Sequence, residues 1–239
     1  MQQTAILDRE TRRAQEILSI FRKTLTIRDE DFAASRIAKE THDPFRVLIV
    51  TILSQNCTDV AALRAYYELE RAVGVSPSSL SNARIQTIKK AIRTAGLYKQ
   101  KARAIKQLST VILQKYSGDF ATVIDGPFAE VRERLQELPK VGPKTADVLL
   151  SILGHPTISV DTHVDRVSKR LGFARPKAKY EEVRANLMQV FRQEDYRFIP
   201  LYFMAFGRKI CKAQRPLCPT CPVTKLCPYE NKTKPRKAS

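Results

Sequence analysis

Cys211, Cys218, Cys221 and Cys227 stand in the pattern C-x6-C-x2-C-x5-C near the C-terminal end of the chain. Four thiolates within one short loop can wrap a single metal centre without help from the rest of the chain. No signal peptide is recognisable, so the chain reads as intracellular. There a metal is expected in place of two disulfides. Zinc is the usual occupant of a four-cysteine site, but zinc ribbons present two separate CxxC knuckles. This segment has one, with long irregular spacers on both sides. An iron–sulfur cluster also takes four cysteine thiolates, and its larger body suits wider spacers. The spacing therefore favours a cluster, with zinc as the alternative. Cys57 lies far away in an apolar segment and reads as a buried core thiol.

The chain has 239 residues, enough for one large domain or two small ones with real cores. Its formal net charge is +18, from 42 Lys and Arg against 24 Asp and Glu. So basic a folded chain points to a polyanionic partner, most often nucleic acid; a generally basic soluble protein is the plainer alternative. No apolar run approaches the ~20 residues of a membrane span, so no membrane is expected. The opening MQQTAILDRETRRAQEIL contains Asp8 and Glu10 and reads as an amphipathic helix, where a secretory signal has an unbroken apolar core.

Apolar periodicity predicts helix after helix. Asp8 to Lys23 gathers Ile17, Leu18, Ile20 and Phe21 on one side, and a weaker helix runs from Asp29 to Glu40. Phe45 to Leu53 follows Pro44 as a buried helix. Thr58 and Asp59 can cap the next, to about Val73. Ser76-Pro77-Ser78-Ser79 marks a turn. Ala83 to Thr94 is helical, stopped by Gly96 as a C′ residue. Further helices cover Tyr98 to Tyr116, Phe128 to Leu138 and Pro143 to Leu153, the last ended by Gly154. His155 to Val160 is extended. Thr162 to Leu171, Tyr180 to Phe191 and Tyr196 to Lys212 complete an all-α set. Asn231 to Ser239 is basic, lacks apolar anchors and reads as a frayed tail.

Leu138-Pro139-Lys140-Val141-Gly142-Pro143-Lys144-Thr145 joins two of these helices through a very short turn. Gly142 permits a positive φ, and Pro143 suits the first helical position. The backbone N–H groups of such a turn, at the positive end of a helix dipole, bind a phosphate without reading bases. An ordinary αα-corner is the plainer alternative. Lys144 tips the balance, because a cation at the second helical position stands at the unfavourable end of the dipole. A residue that breaks a local rule is a candidate for function. The same dipole favours the neutral amine, and partial burial would favour it further; Asp147, one turn along, opposes both. A neutral lysine amine is a nucleophile able to form a Schiff base. Asp161 precedes a helix and is expected to cap it, which also makes it a rigid, pre-oriented carboxylate. His163 in the first turn reads as structural.

These residues resemble a known family. LPKVGPKTADVLL, then ISVDTHVDRVSKRLG, then the four-cysteine tail are similar to the endonuclease III family of helix-hairpin-helix DNA glycosylases. PFRVLIVTILSQNCTD and TAGLYKQKARAI extend the resemblance to about Pro44 to Tyr229. It implies an all-helical, two-lobed fold: a six-helix barrel over residues 44–154 that holds the hairpin, and a lobe that combines residues 1–43 with 155–239 and the cysteine loop. It implies that Lys144 is the Schiff-base nucleophile and Asp161 the catalytic carboxylate. It further implies that Cys211, Cys218, Cys221 and Cys227 hold a 4Fe–4S cluster that supports structure and DNA binding. Asn56 and Leu97 match residues that fill the gap left by an extruded nucleotide, and Gly142 matches a hairpin glycine. Two departures stand out. Lys140 replaces the first glycine of the family's LPGVG, and Asn56, beside Gln55, replaces a frequent Gln.

The implied activity is base-excision repair of duplex DNA by a bifunctional glycosylase and AP lyase acting on oxidised pyrimidines. Contacts from Lys140, Val141, Gly142, Gln55, Asn56 and Leu97 are expected. The alternatives are a mismatch glycosylase, which removes thymine or uracil opposite guanine or adenine opposite oxidised guanine, and a non-catalytic DNA-binding iron–sulfur protein. The enzyme is expected to be a monomer, in the cytoplasm or nucleoid of a prokaryote or the nucleus of a eukaryote.

Overall fold

A computed structural model describes residues 2–234. Of the basic tail expected over 231–239, residues 235–239 lie outside the described part. Among the described residues every regular element is a helix, and no helix is long and apolar enough to cross a membrane. The α-helices are α1 (Gln2–Thr24), α2 (Ala33–Thr41), α3 (Pro44–Ser54), α4 (Asp59–Ala72), α5 (Pro77–Asn82), α6 (Ile85–Ala91) and α7 (Tyr98–Lys115). They continue as α8 (Ala121–Ile124), α9 (Phe128–Gln136), α10 (Pro143–Ile152), α11 (Thr162–Arg170), α12 (Tyr180–Val190) and α13 (Ile199–Lys209). The chain divides into two compact units. One is Arg28–His155; the other joins the residues up to Ile27 with those from Pro156 onward.

In the unit Arg28–His155 the central helix is α3, whose residues Phe45 and Val47 to Leu53 are all buried. An apolar run without a polar face leaves a helix no stable place but the core. Pro44 opens it at the first helical position, and the Asp43 carboxylate accepts from the N–H groups of Phe45 and Arg46. Helices α2, α4, α7 and α10 pack around it. The helix α2, assigned from sequence to the other lobe, groups here because Ala33 and Ile37 are buried in this core. Ser76-Pro77-Ser78-Ser79, expected as a turn, is the start of α5. Ser76 accepts from the Ser79 N–H and Pro77 is the first helical residue, so the same residues serve as a helix start. Cys57 is half-buried, packed against the core from outside.

In the other unit, Ala14, Ile17, Leu18 and Phe21 of α1 are fully buried at helical spacing. Phe21 lies 4.4 Å from the Phe206 ring and 5.9 Å from Phe203, both on α13. Pro156 stands at a bend and residues 157–160 form no regular element, with Ile158 and Val160 in the same core.

Candidate functional site

The hairpin turn departs from expectation in one respect. The positive φ falls on Lys140 (+68°), whereas Gly142 is extended, with φ −92° and ψ 179°. Gly142 is the cap of α10, Pro143 its first residue and Lys144 its second. A Cβ on Gly142 would meet nothing within 4 Å, so the glycine leaves the approach to this helix end open. Lys144 is exposed. Asp147 is fully buried and receives two hydrogen bonds from the Arg132 guanidinium, at 2.8 and 2.9 Å. This bidentate pair joins α9 to α10, the two arms of the hairpin. Sequence spacing did not reveal it, because Arg132 looks like any charged residue of an amphipathic helix.

Asn56 (φ +50°) and Leu97 (φ +59°) are both left-handed and exposed. Leu97 is 53% exposed, a bulky apolar side chain held in a costly backbone state and presented to solvent. The two loops touch. A Cβ on Gly96 would lie 3.0 Å from the Asn56 carbonyl oxygen, so Gly96 serves close approach and not the helix stop expected of it. It lies outside the left-handed region, and α6 has already ended at Ala91. Gln55 turns inward. Its Nε2 donates to the Lys140 carbonyl and to the Thr145 hydroxyl, both at 3.2 Å. Lys101, 1% exposed on the buried face of α7, donates to the Leu53 carbonyl at 2.7 Å. Burial shifts its pKa down, with the nearby Cys57 opposing. A lysine at i−4 and i−7 from Ile105 and Leu108 was the legible sign of this residue.

Asp161 belongs to the other unit. It caps α11, its Oδ1 accepting from His163 N at 2.9 Å and Val164 N at 2.7 Å. His163 is engaged through Nδ1, which accepts from Arg166. Arg166 also donates to the carbonyls of Gly207 and Cys211.

Cys211, Cys218, Cys221 and Cys227 are free thiols lining one pocket. Arg170 donates to the Cys211 sulfur at 3.5 Å and to the Lys212 and Ala213 carbonyls, and lies 4.9 Å over the Tyr229 ring. Burial pushes the Cys221 and Cys227 thiols up, and the neighbouring cysteines add to it by charge repulsion. A cationic centre among them removes that repulsion. Among the described residues no three His, Cys, Asp or Glu side chains stand close enough to grip a single ion. Four cysteines around one pocket are a donor set that both zinc and iron–sulfur clusters use.

A family model for the HhH-GPD superfamily base excision DNA repair protein matches residues 49–193, and the chain belongs to this superfamily. Within it, the endonuclease III of Sulfolobus acidocaldarius is 35% identical over 218 residues, 90% of this chain and 96% of that protein. The endonuclease III of Bacillus subtilis is 37% identical over 186 residues, 77% and 81% of the two chains. A solved structure of a trapped endonuclease III–DNA covalent intermediate superimposes with a TM-score of 0.69 at 34% identity, covering 85% of this chain and 97% of that one. A thermostable thymine-DNA glycosylase shares the fold, with a TM-score of 0.70 at 23% identity.

Proposed function

We propose that the chain is a bifunctional DNA glycosylase and AP lyase that removes oxidised pyrimidines from duplex DNA. Lys144 is its nucleophile and Asp161 the assisting carboxylate. The observation that carries this reading is an exposed lysine at the second residue of α10, two residues after an uncovered glycine cap. A base inside a duplex hides its glycosidic carbon, so the nucleotide must be flipped out; damaged bases flip most cheaply. Asn56 and Leu97 then occupy the emptied stack. Asp161 takes a proton from Lys144 or stabilises positive charge on the sugar. The Lys144 amine attacks C1′, the N–C1′ bond forms, and the base leaves with the glycosidic electron pair. Ring opening gives an imine, which acidifies C2′. Loss of that proton expels the 3′ phosphate and breaks the strand.

Cys211, Cys218, Cys221 and Cys227 would hold a 4Fe–4S cluster in this reading. Bound there, it would tie the four cysteines of the 211–227 loop together and would take no part in base removal. Arg166 and Arg170 anchor the same loop to α11 through the carbonyls of Cys211, Lys212 and Ala213.

The test is borohydride trapping on an abasic duplex. Lys144→Ala is expected to abolish the covalent complex while DNA affinity stays within a few-fold. Asp161→Asn should slow base removal by about two decades or more, the scale of general acid–base catalysis. It should fold normally, since Asn caps a helix about as well as Asp. A Lys144→Ala protein that still traps at the wild-type rate overturns the assignment.

A further inference from the structure

Gln55 was expected among the DNA contacts, beside Asn56. Its geometry is that of an internal tie. It is the first residue after α3, with φ −58° and ψ 125°, and is half-buried. Its amide nitrogen carries two hydrogens and meets two acceptors: the Lys140 carbonyl and the Thr145 hydroxyl. These acceptors bracket Lys144. One lies in the turn just before the α10 cap; the other is the residue directly after Lys144, itself 5% exposed. The next residue along the chain from Gln55 is Asn56, held left-handed and solvent-exposed. Two contacts stiffen this stretch: Lys101 clamps the Leu53 carbonyl, and Gly96 abuts the Asn56 carbonyl. A side chain with both amide hydrogens engaged by the protein's own acceptors can offer a base only its carbonyl oxygen.

We propose that Gln55 is a positioning residue that couples the Asn56 loop to the turn bearing Lys144, so that seating Asn56 in the DNA stack sets the orientation of the nucleophile. The inference rests on Lys144 being that nucleophile. Small displacements matter at such a centre, where about 1 Å of misplacement costs on the order of a hundredfold in rate.

The test uses the full chain with its cluster, in single-turnover trapping on a pre-formed abasic duplex. Affinity for a non-reactive abasic analogue and thermal unfolding are measured alongside. Gln55→Met keeps the length and loses both donors. It should slow trapping about tenfold and leave affinity within about twofold. Thr145→Val removes one acceptor and should show part of the loss; Thr145→Ser should show none. The decisive reading is a double-mutant cycle on the trapping rate. Asn56→Ala should slow trapping in the wild-type background and add nothing in the Gln55→Met background. Additive effects of the two changes overturn the coupling, as does wild-type trapping by Gln55→Met. A change in opposite-base preference with no change in rate overturns it too, and returns Gln55 to base reading. The Lys144→Ala control separates the two failures. If Lys144→Ala is inert and Gln55→Met is normal, only the coupling is lost; if Lys144→Ala traps, the functional reading itself falls.

Discussion

Lys140 carries two properties that a pair of substitutions can pull apart. Its φ of +68° is a region that L-residues other than Asn and Asp rarely adopt, at a cost of about 1–2 kcal/mol. Its side chain adds a cation to a turn expected to meet a phosphate. Lys140→Gly removes both the strain and the charge. Glycine also makes the unfolded chain freer, which costs about 0.5–1 kcal/mol. The net effect is stabilisation of about 0–1.5 kcal/mol, a rise in Tm of at most about 6 °C at 2–4 °C per kcal/mol. Lys140→Ala keeps the strain and removes the charge, so Tm should hardly change. Both should act alike on DNA. With about five phosphate contacts, log K falls with log[salt] at a slope near −4.5, and losing one contact gives about −3.6. From 50 to 200 mM salt the wild type then loses about 500-fold in affinity and either variant about 150-fold. The assays are thermal unfolding and salt titration of affinity on lesion-bearing and intact duplexes. Both duplexes should weaken alike, because phosphate contacts carry no sequence information. Destabilisation by Lys140→Gly would refute the strain argument. An unchanged slope in both variants would refute the phosphate contact.

Two further perturbations probe the supporting structure. Arg132→Met leaves the Asp147 carboxylate buried without its bidentate partner and should cost about 3–5 kcal/mol. That lowers Tm by about 6–20 °C in thermal unfolding, and Arg132→Met/Asp147→Leu should recover most of the loss. The purified protein should be yellow-brown with about four iron and four sulfide atoms per chain. Cys221→Ser should lose the visible absorption and expose the 211–227 loop to protease. Stoichiometric zinc in a colourless wild-type preparation would contradict the cluster.

The helices were legible where a single stripe or run of apolar residues decides them. Phe45 to Leu53 and the Ile17, Leu18, Phe21 stripe came out in place because burial alone fixes them. The cap at Asp161 was legible because carboxylate caps act locally. Ser76-Pro77 was not, since a helix start and a turn use the same residues and differ only in whether the chain beyond them packs as a helix. The location of α2 was hidden because its weak stripe, Ala33 and Ile37, suits either core. The inward turn of Gln55 depends on residues 85 and 90 positions away, which no local pattern encodes. The strain at Lys140 was missed for a related reason: Gly142 had the permissive chemistry, but the turn placed the demand two residues earlier.

The unit that holds the cysteine loop is assembled from chain segments on either side of the unit Arg28–His155. During synthesis this imposes an order. The buried stripe of α1 finds its partners on α13 only when Phe203 and Phe206 emerge, about 180 residues after Phe21. At about 5–20 residues per second that delay is on the order of 9–36 s. The unit Arg28–His155 has its own core and is complete well inside that interval. On the ribosome it therefore precedes the unit that α1 belongs to. Until α12 and α13 arrive, α1 is a nascent amphipathic segment with Ile17, Leu18 and Phe21 uncovered, a segment for a chaperone to hold.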